Sequence, residues 1–365
     1  MIERRQILIG GGGLAIAGVA AGYVGTRQMG SMGQYNESAA AARAALSEQP
    51  ETADLIRYAS LAASGHNTQP WRFRSSARKI EILPDLTRRT PVVDPDDHHL
   101  FVSLGCAAEN LNIAASARGH PGHVSFNAAG DASVEFVFDQ RTPLGSALFD
   151  AIPRRQSTRA EYDGRQVSNS DLMALSAASA VPGVDLVLIT ERAKIERVRD
   201  LVVAGNISQM ADPAFVAELK KWLRFSPSVA LATGDGLFSA ASGSPALPNW
   251  LGTRAFDWVF TPSAENDKYT RQIASSSGLA IFVAEKEDRE HWVLAGRACQ
   301  RFALQATALG LKHAYINQPV EVAKLRPELA NLVGMPGRRP DLVMRFGYGP
   351  TLPYSARRPV SVVLV

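Results

Sequence analysis

Gly105-Cys106-Ala107-Ala108-Glu109-Asn110-Leu111-Asn112-Ile113-Ala114-Ala115-Ser116-Ala117-Arg118-Gly119 is the stretch from which the rest of the chain can be read. Its small residues on one face let a second helix backbone approach closely, while the larger apolar residues face a sheet. Gly119 ends the helix, which begins near His98. The design returns at Gly296 to Gly310. There Gly105 aligns with Gly296, Ala107 with Ala298, Glu109 with Gln300, Leu111 with Phe302, Ile113 with Leu304, Ala115 with Ala306, Ala117 with Ala308 and Gly119 with Gly310. Any two alanine-rich amphipathic helices can be aligned this way. Against that bland reading, each helix sits between strands in the same order, the pattern of an internal repeat.

Working outward, Asp54 to Ala63 reads as a helix with Leu55, Tyr58, Ala59 and Ala62 on one face, stopped at Ser64-Gly65. Strands follow at Lys79 to Leu83 and Val134 to Phe138. The second unit opens near Ile152. It has a helix over Asp171 to Ser179 capped by Ser168 or Ser170, a strand at Asp185 to Ile189, and helices near Ile195 to Gln209 and Pro213 to Leu223. Ala240 to Pro262 reads as irregular. A strand at Leu279 to Ala284, a helix from His291 to Leu309, and strands near His313 to Ile316 and Leu342 to Gly347 complete the pattern. The expected division is 1–30 as an export signal or anchor, 31–50 as a polar linker, 51–150 as a first half and 151–365 as a second half.

With 365 residues and 46% apolar content, the chain can bury a core larger than one minimal domain needs. A net charge of +4 with lysines and arginines scattered among acids does not suggest nucleic-acid binding. The two cysteines, Cys106 and Cys299, lie in helices without metal-ligand spacing and read as structural thiols. Asp94, Asp96, Asp97, His98 and His99 could be taken for metal ligands, but read better as the capped start of the long helix, and no metal is expected.

At the amino terminus, Glu3-Arg4-Arg5-Gln6 precedes an uncharged stretch from Ile7 to Gly25. Paired arginines before a weakly apolar segment resemble a twin-arginine export signal, whose machinery moves folded proteins. Gly10, Gly12 and Ala15 also fit the dinucleotide fingerprint G-x-G-x-x-A, but no helix, second strand and acid follow as that fold requires. The chain is therefore expected outside the cytoplasm, periplasmic or membrane-anchored, with a cytoplasmic location as the alternative.

Two clusters carry chemistry. Arg154-Arg155-Gln156-Ser157-Thr158-Arg159 offers guanidinium forks and hydroxyls able to hold a phosphate; a solvated basic turn is the competing reading. Ser64-Gly65-His66-Asn67-Thr68-Gln69-Pro70-Trp71 puts amides on a tight loop, where they can reach the polar edge of a planar heterocycle; a helix C-cap with Trp71 in the core competes.

Together these clusters resemble the nitroreductase family. The family's R-x-S-x-R segment, which holds the FMN phosphate, is matched by Arg155, Ser157 and Arg159. Its N-x-Q-P-W loop, reaching to the flavin from the partner subunit, is matched by Asn67, Gln69, Pro70 and Trp71. The long helix and the basic carboxy-terminal segment with Arg357 and Arg358 fit as well. Each motif occurs once, in opposite halves, so the chain resembles the fused, single-site branch typified by the Acg proteins. This resemblance implies an α+β nitroreductase-like fold, two unequal repeated halves in one chain mimicking a homodimer, with antiparallel or mixed sheets and long packed helices. It implies FMN held by Arg154, Arg155, Gln156, Ser157, Arg159, Ser64, Gly65, His66, Asn67, Gln69, Ile316, Asn317, Gln318, Arg357 and Arg358. It further implies electron transfer from a donor such as NAD(P)H to a flat quinone or nitro acceptor, with flavin sequestration as the alternative. No acid, base or nucleophile is singled out, since the chemistry belongs to the cofactor. Trp250, Phe256 and Trp258 could form a lid.

Overall fold

The computed structural model describes residues 29–139 and 146–365. The amino-terminal stretch read as a signal, with its rival glycine fingerprint, lies outside them. The first half contains α1 (Met32–Ala42), α2 (Thr52–Ala59), β1 (Trp71–Ser75), β2 (Lys79–Pro84), α3 (His98–Ala117), β3 (Gly122–Asn127) and β4 (Ser133–Phe138). In the second come α4 (Asn169–Ala178), β5 (Val184–Ile189), α5 (Arg192–Met210), α6 (Pro213–Trp222), α7 (Pro227–Thr233), α8 (Asn249–Val259), α9 (Pro262–Ala274), β6 (Gly278–Ala284), α10 (Arg289–Ala308), β7 (Lys312–Tyr315) and β8 (Leu342–Gly347). The fold is α+β, with both large sheets antiparallel throughout.

The two sheets share one plan. Their strand orders are β1-β2-β4-β3 and β5-β6-β8-β7, with the long helix inserted at the same point between the second and third strands of each. Between the sheets, α3 and α10 pack into a core containing Phe73, Ile82 and Phe136 from one sheet and Phe282 and Phe346 from the other. The crossing depends on glycine in both helices. A Cβ on Gly105 would stand 2.1 Å from the Val293 carbonyl oxygen, and one on Gly296 would stand 2.0 Å from that of Val102. In the repeat alignment these two contacts are images of each other.

Around that crossing the two aligned positions differ chemically. Fully buried Glu109 accepts from Arg297 Nε and Arg301 Nη1, both at 2.8 Å. Its counterpart Gln300 instead donates to Asn110 Oδ1 at 2.7 Å. One side neutralises a buried charge with two guanidiniums; the other satisfies amides with amides.

Several elements differ from expectation. The stretch expected as a polar linker forms α1, whose Tyr35 is buried against Phe238 and donates to the Tyr354 carbonyl at 2.6 Å. The region expected to be irregular holds α8, which starts after Pro248 without a side-chain cap and carries Gly252 in its interior; Trp250, Leu251 and Val259 are exposed and Phe256 is buried. β1 and β3 were not anticipated. The carboxy terminus crosses to the first half, where the Val365 amide donates to the Phe73 carbonyl at 2.8 Å beside β1.

Candidate functional site

The loop after α2 makes three non-glycine residues left-handed: His66 at φ 48°, Asn67 at 53° and Gln69 at 51°. Each such residue costs on the order of 1 kcal/mol or more and persists only where its surroundings over-determine it. Here they do. Asn67 Nδ2 donates to the Gly236 and Ala356 carbonyls at 3.0 and 3.2 Å, and its Oδ1 accepts from Arg357 Nη1 at 2.7 Å. Gln69, fully buried, donates to the Gly234 carbonyl at 2.8 Å and accepts from the Arg358 amide at 2.9 Å. Each polar atom of both amides thus has a partner within the protein, and neither residue lines the cavity described next. They were expected to read a heterocycle, and they instead tie the first half to two segments of the second.

What the bent loop exposes is Ser64, Gly65 and His66, which line a cavity of about 590 Å³ between the halves. From the second half Arg159, Tyr315, Asn317 and Gln318 line it too, and Phe215, Phe225, Phe256 and Phe260 make an apolar wall. Asp94 sets the far side by accepting from the His99 and Leu100 amides at 2.9 and 3.0 Å, which fixes the start of α3. His99 then reaches Glu321, Nε2 to Oε1 3.5 Å, and Glu321 also accepts from Gln209 Nε2 at 2.6 Å. Burial opposes charge on both, but their mutual contact wins: the His99 imidazole is held above its usual value and the Glu321 carboxyl below. The cavity wall therefore carries a histidine–carboxylate pair whose contact favours the charged form of each partner. Beside it, burial pulls His66 down to about 4 and keeps it neutral.

Behind the loop lies the second feature. Arg155, 3% exposed, donates through Nη2 to the Leu61 carbonyl at 3.0 Å, and Arg357 Nη2 shares that carbonyl at 3.2 Å. Arg43, just past α1, joins them by its field: burial and then the Arg155 charge lower it to about 10. Burial, followed by Arg43 and Arg155, pulls Arg357 well below the ordinary arginine value. Among the described residues none of the three has a carboxylate partner. Arg155 Nε and Nη1, Arg357 Nε and both ring nitrogens of His313 are buried without any partner. His313 is placed by its strand bridge to Ser157, and burial with the nearby Arg155 charge keeps it neutral. Buried donors without a protein partner beside clustered positive charge make a place that an anion would suit, since the like charges otherwise repel one another.

Other expected residues fall elsewhere. Arg154 is exposed and donates to the Asp150 carbonyl at 2.9 Å, away from the cluster. Arg358 faces Asp85 at 3.5 Å and the Gln69 carbonyl at 3.0 Å, so it serves the loop's structure. Gln156 is clamped to both backbone groups of Leu352 at 2.9 Å. Ile316 is core, its amide bonded to Val343. Phe256 lines the cavity, whereas Trp250 and Trp258 point outward. Arg43, His313 and Glu321 had not been singled out, and His99 had been read only as part of the capped start of the long helix.

With fold and site in view, the chain can be set beside the known proteins it is similar to. No family model matches it. It is 28% identical over 326 residues to a Mycobacterium tuberculosis H37Rv protein provisionally named NAD(P)H nitroreductase Rv3131, covering 85% of this chain and 90% of that one. A second protein of that strain, provisionally named NAD(P)H nitroreductase acg, is 24% identical over 324 residues, covering 84% and 93%. Among solved structures, a Desulfitobacterium hafniense nitroreductase with bound FMN aligns over 59% of this chain and 96% of its own, at 13% identity and TM-score 0.39. The Mycobacterium smegmatis FMN-dependent nitroreductase NfnB, in complex with NADPH, aligns over 56% and 87%, at 12% identity and TM-score 0.37.

Proposed function

We propose that the chain is an FMN-dependent oxidoreductase with one flavin site per chain, assembled between two halves of an internal duplication, and that it passes electrons from a nicotinamide donor to a flat organic acceptor. The observation carrying this is the group of buried Arg155 and half-buried Arg43 and Arg357, set against the Leu61 and Ala62 backbone just ahead of the cavity-lining Ala63, with no carboxylate partner among the described residues. A phosphate monoester supplies the missing counter-charge, and the His313 imidazole adds a neutral donor. The matching sheet orders and the mirrored glycine contacts support the duplication.

In this reading Arg43, Arg155, Arg357 and His313 hold the phosphate, while Ser64, Gly65, Arg159, Asn317 and Gln318 face the ring. Bound FMN supplies the exchange of electrons between donor and acceptor. The residues do the rest. The phenylalanine wall excludes water and offers a flat apolar surface for an aromatic partner. Reducing a quinone or nitro group consumes protons as well as electrons, and His99, whose imidazole the contact with Glu321 holds above its usual value, lines the cavity as a group suited to carrying one.

Purified protein should carry FMN at one per chain, and anaerobic mixing with NAD(P)H should bleach the flavin spectrum within seconds. Flavin that responds only to dithionite would make the protein a flavin store. Colourless protein that takes up no added FMN would overturn the site altogether. The amino-terminal segment supports export by a twin-arginine route; recovery of all the protein in the cytoplasmic fraction would refute that.

A further inference from the structure

We propose that the outer face of α8 docks the protein on a lipid bilayer, so that the cavity receives acceptors dissolved in the membrane. The acceptor clause rests on the flavin reading above; the docking does not. α8 is the wall between cavity and solvent. Its inner residues Gly252, Ala255 and Phe256 line the cavity, and Val259 lines it while also being exposed. Its outer face is unlike the rest of the surface. Trp258 is 82% exposed and Trp250 53%, with Leu251 beside them.

On a helix Trp250, Arg254 and Trp258 stand four residues apart in one row. Arg254 is exposed and has no partner among the described residues. The helix's one acid, Asp257, is already paired with Lys220, and Lys221 lies exposed nearby. Tryptophan with its amphipathic ring, flanked by unpaired cations and free of unpaired acid, suits the boundary of an anionic bilayer. A soluble partner would give no reason for this composition to border the mouth of an apolar cavity.

The chain's own amino terminus points to the same side. Gly30 sits against Ser228, where a Cβ would be 2.7 Å from the Ser228 nitrogen. The next residue, Val229, shares a small recess with Asn249, Thr253 and Phe256. The uncharged sequence from Ile7 to Gly25 therefore leads into the described protein beside α8. A membrane contact by that sequence, in whatever form, would bring the α8 face toward the same surface.

The full-length protein reports the contact itself. Of its five tryptophans, Trp71, Trp222 and Trp292 are buried, and none lies in residues 1–28. Vesicles of phosphatidylcholine with phosphatidylglycerol should blue-shift the emission, and brominated acyl chains should quench it, through Trp250 and Trp258 alone. Trp250→Ser with Trp258→Ser should abolish quenching and lower vesicle partitioning by at least about tenfold, two large side chains being left in water. Flavin content and bleaching by NAD(P)H should stay unchanged. Turnover with a vesicle-embedded quinone should fall about as much as partitioning does, and turnover with a water-soluble quinone should not. Vesicle binding without quenching, or no binding at all, would overturn the docking. Quenching in a protein that holds no flavin would leave the docking intact and remove the proposed function.

Discussion

Replacing Arg43 with methionine should separate the cost of the buried cation from its use. Burial, with help from Arg155, moves this guanidinium from 12.5 to about 10. At 1.36 kcal/mol per unit, the anion-free fold bears about 3 kcal/mol to keep that charge. Methionine removes the cost. It also removes two donations, to the Ala39 carbonyl at 3.0 Å and the Ser355 carbonyl at 3.2 Å, and the stacking of the guanidinium 4.2 Å from the Tyr354 ring centre. Those contacts are together worth roughly 2–3 kcal/mol, so the apoprotein should change by less than about 1 kcal/mol in urea denaturation. A bound phosphate would lose one charge-assisted contact of about 1.5–3 kcal/mol, which is about 10- to 100-fold in affinity. Titration of apoprotein with FMN, followed by flavin fluorescence, reads that loss. Riboflavin, which lacks the phosphate, supplies the control and should bind both proteins equally. Unchanged FMN affinity, or an equal loss for FMN and riboflavin, would refute the assignment of this cluster to an anion.

Three further outcomes follow from the geometry. Gly296→Ala places its Cβ 2.0 Å from a backbone oxygen of α3, and Gly105→Ala makes the mirrored clash at 2.1 Å. Each should cost at least about 3 kcal/mol because backbone cannot rotate aside, and a loss below 1 kcal/mol in urea melts would mean the helices do not touch there. Gln69→Leu strands the buried Gly234 carbonyl and Arg358 amide and should cost about 3–5 kcal/mol. An unaltered urea midpoint with a shifted flavin spectrum would return Gln69 to the ring edge. Burial raises Asp341 from 3.8 to about 7, with its carboxyl 2.8 Å from His98 Nε2. A raised carboxyl is stabilising below its unfolded value and loses that contribution as pH climbs from about 4 to 7. Asp341→Asn should therefore gain stability relative to wild type over that interval, on the order of 4 kcal/mol, and a gap independent of pH would contradict the protonated carboxyl.

Much of the fold was legible because its decisive elements are locally coded. The long helices announce themselves by period and by terminal glycines; α3 spans His98–Ala117 as expected, and the Ser168 side chain caps α4 at the Asp171 amide. α8 hid for a physical reason. It follows Pro248 with no side-chain cap at its start and carries Gly252 in its interior, so the start signal and the helix propensity a sequence reading depends on are both missing. The site divides along the same line. Arg155 and Arg159 lie in one short segment whose residue types are chemically suggestive by themselves, and the structure puts the first in the cationic cluster and the second in the cavity.

Arg43 carried no local signal at all, standing at the end of an alanine-rich helix. It matters only because Tyr35, eight residues ahead of it in the sequence, is buried against Phe238 and bonded to Tyr354, which sets the helix end near Arg155 and Arg357. Asn67 and Gln69 show the converse. Their residue types suit a ring edge, yet a left-handed backbone turns their amides away from the cavity and onto Gly234, Gly236 and Ala356. Residue type states what a side chain is able to bind; backbone sign and long-range packing decide what it meets. In this chain the two halves are held in register by those amides, and the cationic cluster forms only when the register holds. Loss of Gln69 should therefore weaken FMN through misplaced Arg357, whereas loss of Arg43 acts on the phosphate alone.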